Sequence, residues 1–139
     1  MPRRRLVACD TGPLVALYDR SDQYHKTCVE AARTILAPLL TIWPVITEAL
    51  YLLGSERGAA DKLLEQVEQG HLEIIGPDGE DVHRIRELMS RYEDLPMDFA
   101  DAALVAACER RKVQTIFTTD RRDFTVYKPI HRRRFEIVP

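Results

Sequence analysis

The sequence predicts a single α/β domain built on a parallel, doubly wound sheet, and three observations support this prediction. The chain has 139 residues, which is within the usual size of one domain with its own hydrophobic core. Its composition is 45% hydrophobic and 30% charged, as is typical of folded globular proteins. Short apolar runs alternate with helical patterns, which is the element order of a parallel sheet crossed by helices. We therefore expect one domain over residues 1–139.

The amino-terminal part of the chain predicts one strand and two helices. The strand is expected at Leu6 to Cys9, and Asp10 follows its carboxyl end. Pro13 suits the first turn of a short helix, because proline loses no needed hydrogen bond there. A second helix is expected after Ser21 as its N-cap and before Pro38, since apolar residues recur on one of its faces.

The middle of the chain predicts two more strands. One is expected at Leu39 to Trp43, and Pro44 opens the helix that follows it. Glu48 is a charged residue on this otherwise apolar helix. A further helix is expected to end at Gly70 in a left-handed conformation, and His71 to Ile75 is the third predicted strand.

The last part of the chain completes the predicted sheet. Residues 76–79 form a turn rich in glycine and proline, and a helix with apolar residues on one side follows it. Asp98 is expected to cap a helix over Phe99 to about Arg110. Val113 to Thr118 is the fourth predicted strand, and Phe135 to Val138 is a short last one.

Four acidic residues are expected at one edge of this sheet. Asp10 follows the first strand and Asp120 follows the fourth. Asp101 lies in the first turn of its helix, and Glu48 lies about one turn into the helix after the second strand. In open parallel sheets the functional crevice lies outside the carboxyl ends of the strands. We therefore expect the four carboxylates to be able to meet there.

Converging carboxylates repel one another unless a cation compensates their charge. No lysine or arginine adjoins Asp10, Glu48 or Asp101 in the sequence. A divalent cation is the natural partner, because Mg²⁺ prefers oxygen ligands, keeps several waters and binds substrate phosphate at the same time.

Each acid also has a purely structural interpretation. Asp10 suits the N-cap of the short helix, and Asp98 with Asp101 is similar to a capping box. Asp120 suits a turn or an ion pair with one of the arginines that follow it. Glu48 is an ordinary surface residue if the phase of its helix differs from the expected one. The shared edge of the four acids, and not any one of them, favours a functional site.

Charge and cysteine content predict a soluble cytoplasmic protein. The net charge is −2, which gives no overall preference for an anionic partner. Arginine runs at residues 3–5 and 132–134 are usually a solvated surface. The three cysteines form no C-x-x-C pair, as expected for buried thiols in a reducing compartment. The apolar run after the first arginines is too short for a signal peptide or a membrane span.

Four motifs, in this order, resemble the PIN-domain nucleases and more narrowly the VapC-type toxins of bacterial toxin–antitoxin pairs. They are Asp10-Thr11-Gly12-Pro13-Leu14, Thr47-Glu48-Ala49, the segment from Asp98 to Ala106, and Thr118-Thr119-Asp120 with Asp123-Phe124. The resemblance covers essentially the whole chain. It implies a three-layer α/β/α sandwich with a central parallel sheet and a metal-dependent endoribonuclease site.

The resemblance also implies roles for individual residues. Those matching the four catalytic acids, which would bind Mg²⁺ or Mn²⁺, are Asp10, Glu48, Asp101 and Asp120. Of these, Asp10 and Asp101 are the first choices as direct ligands, and Asp123 competes with Asp120 for the fourth position. Polar positions that support the metal or its waters, or an auxiliary acid, are matched by Thr11, Thr119 and Asp98. The chain departs from the pattern at Gly12, where serine is frequent.

The implied reaction is in-line attack of water on an RNA phosphodiester, which leaves 5′-phosphate and 3′-hydroxyl ends. Arg121 and Arg122 would hold RNA phosphates without selecting a sequence. Tyr24 and His25 are able to contact RNA, although a packed or helix-surface role is the commoner one for such residues. A toxin further implies a cognate antitoxin that blocks the site, and a homodimer. The sequence leaves open whether the chain is a toxin or an RNA-processing nuclease.

Two other function classes compete with this interpretation. A phosphoacceptor signalling domain also places an aspartate such as Asp10 at a strand end, but it needs a second acid beside it and a lysine after a late strand. Here Cys9 precedes Asp10, and Thr119-Asp120 follows Thr118. A non-catalytic PIN-like module that binds RNA or protein is disfavoured, since all four acids are present.

Overall fold

The structure is a computed structural model that describes residues 5–131 and 134–139. The arginine runs predicted at residues 3–5 and 132–134 lie partly outside the described residues, at Arg3, Arg4, Arg132 and Arg133. Within the described part, five strands form one sheet: β1 (Val7–Cys9), β2 (Leu39–Thr41), β3 (Leu72–Ile74), β4 (Thr115–Phe117) and β5 (Glu136–Val138). Their order is β3-β2-β1-β4-β5, and every neighbouring pair is parallel.

Seven α-helices lie in the same described ranges. They are α1 (Thr11–Tyr18), α2 (His25–Arg33), α3 (Trp43–Leu52), α4 (Ala59–Glu68), α5 (Val82–Arg91), α6 (Phe99–Arg111) and α7 (Arg121–Val126). A short 3₁₀ turn over Gly79–Asp81 leads into α5. None of these helices is long and apolar enough to cross a bilayer.

The strand order explains why helices cover both faces of the sheet. The chain moves from β1 outward to β3, and then crosses back over the sheet to β4 on the other side of β1. Because parallel crossovers are right-handed, this reversal places α1 to α4 and α5 to α6 on opposite faces. The predicted three-layer α/β/α sandwich is therefore confirmed. The reversal also creates a crevice between the carboxyl ends of β1 and β4, where open α/β sheets bind their ligands.

Helix α6 is the most deeply buried helix of the core. Every residue from Ala102 to Cys108 is buried, so the helix has no solvated stripe over two turns. The sequence predicted the cap correctly: the Asp101 amide donates to Asp98 Oδ1 at 2.9 Å. The helix ends at Arg111, one residue beyond the predicted end. At the end of α4, Gly70 has a φ of +80°, as expected for a left-handed helix stop.

The prediction that Ser21 caps the second helix was wrong. Helix α2 begins at His25, because the segment before it is held in turns by its own side chains. The amide and hydroxyl of Ser21 both donate to Asp19 Oδ1, at 2.9 and 2.6 Å. The amide of Tyr24 donates to Asp22 Oδ1 at 2.8 Å. Such local hydrogen bonds compete with helix formation.

Helix α7 was not predicted from the sequence. Asp120 caps it, and the Asp123 amide donates to Asp120 Oδ1 at 3.4 Å. The signal was present, because Asp120 and Asp123 repeat the spacing of Asp98 and Asp101 at the start of α6. The strands are shorter than predicted at their ends, where residues such as Thr118 turn toward the crevice.

Candidate active site

A cleft of about 480 Å³ opens at the carboxyl edge of the sheet, between the ends of β1 and β4. Its acidic lining residues are Asp10, Asp22, Glu48, Asp98, Asp101, Asp120 and Asp123. Thr11 and Thr119 line the same cleft. No lysine, arginine or histidine is among the described residues that line it. The structure thus brings every predicted acid to one place, with no cationic side chain in the lining.

Asp10 is the most buried of these acids, with 8% of its surface exposed. Its amide donates to the carbonyl of Phe117 at 2.9 Å, which fixes the end of β1 against β4. Its Oδ2 accepts a hydrogen bond from the Thr118 hydroxyl at 2.9 Å. The same hydroxyl oxygen accepts the Asp120 amide at 2.9 Å. Thr118 therefore joins the two strand ends that carry the first and fourth predicted acids.

The surroundings of Asp10 favour its protonated form. Burial raises the pKa of this carboxyl to about 6. Hydrogen bonds from the Thr11 amide and the Thr118 hydroxyl oppose the rise, and the carboxylates of Glu48 and Asp120 add to it. Although Asp10 precedes α1, its side chain makes no capping hydrogen bond. The structure thus gives the helix-cap interpretation of this residue no support.

Asp101 lies opposite, in the first turn of α6, and is partly buried. Its pKa is raised to about 7, chiefly by burial and then by the charges of Asp98 and Asp10, while hydrogen bonds with the Asp98 backbone and with Tyr127 oppose the rise. The Tyr127 hydroxyl donates to Asp101 Oδ2 at 3.3 Å. Tyr127 is buried against the rings of Tyr92 and Phe124, so its hydroxyl has a fixed position. Tyr127 was not predicted from the sequence, because it is 26 residues away from Asp101 and no local pattern links the two.

Glu48 projects from α3 into the cleft. It is exposed, whereas Val45, Ile46 and Ala49 on the same helix are buried. The partner expected for its charge is a hydroxyl group: Thr11 Oγ1 donates to Glu48 Oε2 at 3.2 Å. Glu48 is thus both a surface residue and part of the cleft.

Asp120 and Asp123 both face the cleft, at the start of α7. The pKa of Asp123 is raised to about 6, first by burial and then by its hydrogen bond with Asp120 and the charge of Asp120, while Arg122 opposes the rise. Asp120 caps α7, a role that was not predicted from the sequence, and it also lines the cleft. The fourth acidic position therefore contains a pair of carboxyl groups.

Gly12 leaves room for a hydroxyl group from another part of the chain. A Cβ atom at position 12 would collide with Thr119 Oγ1. The side-chain volume that a serine would fill at this position is thus occupied by the hydroxyl of Thr119. Glycine at position 12 thus lacks the hydroxyl of a serine, but the hydroxyl of Thr119 lies close to the place where the serine side chain would be.

The two arginines expected to bind RNA do not line the cleft. Arg121 donates to the backbone oxygen of Pro139 at the carboxyl end of the chain. Arg122 is exposed on α7. Among the described residues, neither forms an ion pair with Asp120, so that interpretation of Asp120 finds no support.

The loop before α2 contributes three lining residues, and of these only Tyr24 was predicted from the sequence to be able to contact RNA. Asp22, Gln23 and Tyr24 all border the cleft, and Tyr24 is 42% exposed. His25 does not, because its Nδ1 lies 2.6 Å from the carbonyl oxygen of Ala16. Asp22 is the residue that could have indicated this loop, because its side chain forms a turn that keeps Gln23 and Tyr24 out of α2.

The donor set fits a hard divalent cation bound partly by water. Among the described lining residues the expected ligand atoms are oxygens, and burial together with neighbouring carboxylates makes Asp10 and Asp101 harder to ionise without a cation. Within the described ranges, however, no three acidic, histidine or cysteine side chains are grouped so as to hold one ion. An ion at this site would accordingly use one or two carboxylates directly. That is the usual arrangement of Mg²⁺, which completes its shell with waters and substrate phosphate.

Comparison with known proteins gives consistent matches. The PIN domain family matches residues 7–128. The chain is 28% identical to Ribonuclease VapC26 of Mycobacterium tuberculosis (strain ATCC 25618 / H37Rv) over 132 residues, which cover 94% of this chain and 98% of that protein.

Two solved structures share the fold. Mycobacterium tuberculosis VapC20, a sarcin–ricin loop cleaving toxin, matches with a TM-score of 0.73 at 19% identity, over 79% of this chain and 86% of that one. VapBC2 of Rickettsia felis, solved with a DNA fragment from its promoter, matches with a TM-score of 0.63 at 15% identity, over 95% and 96%.

Proposed function

Because this chain belongs to the PIN domain family, we propose that it is an endoribonuclease that hydrolyses RNA phosphodiester bonds, and that it is the toxin of a toxin–antitoxin pair. The observation that carries the proposal is the acidic cleft, in which the carboxyl groups of Asp10 and Asp101 are partly or fully buried with no cationic side chain in the lining. The ribonuclease VapC26, whose length this chain nearly spans, supports the activity.

We assign the cation sites to the acids of the cleft. Asp10 and Asp101 would hold Mg²⁺ or Mn²⁺ directly, and Glu48 and the Asp120–Asp123 pair would complete the acidic set, directly or through water. A divalent cation bound there lowers the pKa of a water molecule and shields the charge that builds up on the phosphate oxygens.

The chain's own residues then have three tasks. Thr118 fixes the carboxylate of Asp10 through its hydroxyl, and Tyr127 does the same for Asp101. Thr11 orients Glu48. At neutral pH the cleft repels a phosphodiester unless a cation is present, since its ionisable lining residues are all acidic. Binding of substrate and binding of the cation are therefore expected to depend on one another.

The remaining contacts belong to the same proposal. Arg122 is free to reach an RNA phosphate from the surface of α7, whereas Arg121 must first release Pro139. The whole chain acts as one nuclease domain, over residues 1–139. A cognate antitoxin would block the cleft, and the chain would form a homodimer; the VapBC2 assembly, which shares the fold, supports an antitoxin partner.

The activity is tested with the purified chain and with single-stranded and structured RNA, in Mg²⁺, Mn²⁺ or EDTA. We expect cleavage with either metal, none in EDTA, and none with Asp10→Asn. Asp61→Asn is the matched control, because Asp61 is an exposed acid on α4 outside the cleft. Equal cleavage by wild type and Asp10→Asn, or cleavage that EDTA leaves unchanged, contradicts the proposal.

The toxin role needs a test in cells. Expression of the wild-type chain in a bacterial host is expected to arrest growth, and expression of Asp10→Asn is not. The cleaved RNA should carry 5′-phosphate and 3′-hydroxyl ends, which sequencing of the ends identifies together with the target. Normal growth during expression of an active nuclease would favour an RNA-processing role.

A further inference from the structure

A second groove, with aromatic walls, lies beside the acidic cleft. It measures about 730 Å³ and is lined by Trp43, Pro44, Thr47, Glu48, Tyr51, Pro77, Phe99 and Ala100. Its three aromatic side chains are unusually exposed: 52% for Trp43, 84% for Tyr51 and 48% for Phe99. None of the three aromatic residues was singled out in the sequence, because each lies in a helix where an aromatic residue is ordinarily part of the core. We call this surface the aromatic groove.

The aromatic groove is continuous with the acidic cleft. Glu48 lines both, so the two share a wall. Phe99 lies between Asp98 and Asp101 at the start of α6, and Trp43 is the first residue of α3, the helix that carries Glu48. Helices α3 and α6 thus contribute carboxylates to the acidic cleft and aromatic rings to the aromatic groove.

The chemistry of the lining indicates what the groove accommodates. Among the described residues that line the groove, Glu48 is the one charged residue, and the others are aromatic, proline or small. Such a surface does not attract a phosphate backbone, which needs positive charge. Exposed aromatic rings do bind the flat faces of unpaired nucleobases by stacking.

We propose that the aromatic groove stacks unpaired bases of the RNA that adjoin the phosphate being cleaved. This inference rests on the proposed ribonuclease function. The cleft would receive the phosphate with its cation, and the groove would receive the neighbouring bases. Bases inside a duplex have no free faces, so the groove favours single-stranded segments and loops. Stacking tolerates any base, so it selects RNA structure more than sequence.

Trp43 provides a direct test, because it is the single tryptophan of the chain. The Asp10→Asn variant is used because we expect it to bind RNA without cutting it, and stacking of a base on or beside the indole should quench its fluorescence. With Mg²⁺ present, we expect a single-stranded oligoribonucleotide to quench the emission by roughly half. An abasic oligomer of the same length and charge should leave the emission unchanged. Binding of both oligomers is followed independently by anisotropy of a terminal label.

Two substitutions in the Asp10→Asn background test the other rings. Tyr51→Ala and Phe99→Leu should each weaken RNA binding about tenfold, as loss of one base–aromatic contact does. Leu36→Ala is the matched control, since Leu36 is 91% exposed but lies outside both the groove and the cleft. Circular dichroism shows whether each variant is folded; Tyr51, at 84% exposure, is the substitution least able to disturb the core.

Three results would overturn the inference. RNA binding without any change of Trp43 emission would show that no base stacks in the groove. Equal affinity of the RNA and the abasic oligomer does the same. A change of emission with protein concentration alone, in the absence of RNA, shows that a second copy of the chain covers the groove. Cleavage of RNA by the wild-type chain is measured separately, so the stacking can fail while the proposed function stands.

Discussion

Asp10 and Asp81 are buried to a similar degree, with 8% and 5% of their surfaces exposed, but their surroundings differ. Asp81 is neutralised by the chain itself: Arg110 Nε donates to its Oδ1 at 3.0 Å and Nη2 to its Oδ2 at 3.1 Å. The Asp78 amide adds a third bond at 2.8 Å. Within residues 5–131 and 134–139, Asp10 has hydrogen-bonding partners but no lysine, arginine or histidine paired with it.

The difference separates two uses of a buried acid. Asp81 and Arg110 hold the fold, because Arg110 also donates to the carbonyl of Ile75 at 2.6 Å and so ties α6 to the end of β3. The carboxylate of Asp10 accepts a hydrogen bond from Thr118 but makes no ion pair among the described residues, and its burial disfavours the charge that it would carry. A cation from solution binds most favourably beside a buried acid that has no counter-charge in the protein.

The largest expected effect is on catalysis, at Asp10. Asp10→Asn should reduce RNA cleavage about a thousandfold, since a bound metal ion contributes several kcal/mol to the transition state. Its free energy of unfolding at pH 7.5 should be unchanged or higher, because an unfavourable buried charge is removed. Cleavage assays and urea titrations measure both. A variant that loses stability together with activity would assign Asp10 to the fold.

The converse substitution is Asp81→Asn. It leaves the Arg110 guanidinium without its main partner and should lower the free energy of unfolding by about 2–3 kcal/mol, since breaking a buried pair leaves one charge uncompensated. Arg110 is partly exposed, with 30% of its side chain accessible, which keeps the loss at the low end of the range for buried pairs. Cleavage per folded molecule should remain within about twofold. An undiminished urea midpoint would contradict the role of this pair.

Stability should also depend on pH in opposite directions with and without metal. Burial raises the pKa of Asp10 to about 6 and that of Asp101 to about 7, from 3.8. The folded state thus binds more protons than the unfolded state between about pH 4 and pH 7, so metal-free stability should fall as the pH rises through this window. Asp10 alone accounts for about 3 kcal/mol of this fall.

Urea titrations at pH 5 and pH 7.5, in EDTA and in Mg²⁺, check this expectation. Mg²⁺ should restore stability at pH 7.5, and Asp10→Asn should flatten the metal-free profile. Metal-free stability that rises with pH in this window would show that the acids are compensated within the chain, as Asp81 is.

The smallest expected effect concerns a hydroxyl. Gly12→Ala should displace the Thr119 hydroxyl from its place and lower cleavage about fivefold, if that hydroxyl hydrogen-bonds to bound water or phosphate during the reaction. Thr119→Ala should cost about the same, and the double variant should be no worse than either single one, because both remove the same group. The check is the cleavage rate at saturating Mg²⁺. Additive losses in the double variant would show that Gly12 and Thr119 act independently, contrary to this prediction.

The sequence predicted the parts of the site that depend on strand ends and local capping. Asp10 and Asp120 follow strands that apolar runs identify, and Asp98 caps a helix by a local rule. Tyr127 was beyond such rules, because its contact with Asp101 depends on how α7 packs on α6.

The same limit applies to contacts between distant segments. The contact of Gly12 with Thr119 joins residues from opposite ends of the chain, and the Asp81–Arg110 pair joins the turn after β3 to the end of α6. Neither pair shows a sequence pattern of its own. Only the folded structure therefore separates an acid that holds the fold from one that is left for a ligand.

Helix α6 carries both kinds of residue, with Asp101 in its first turn and Arg110 in its last. It is about 20 Å long by its 13 residues, and its buried middle permits little bending. It therefore behaves as a rigid rod with an anchor at one end and an active-site acid at the other. A shift of the helix at Arg110 would therefore displace the Asp101 carboxylate. Mutations at Arg110, about 13 Å along the helix axis from Asp101, are accordingly able to lower activity without altering any residue of the cleft.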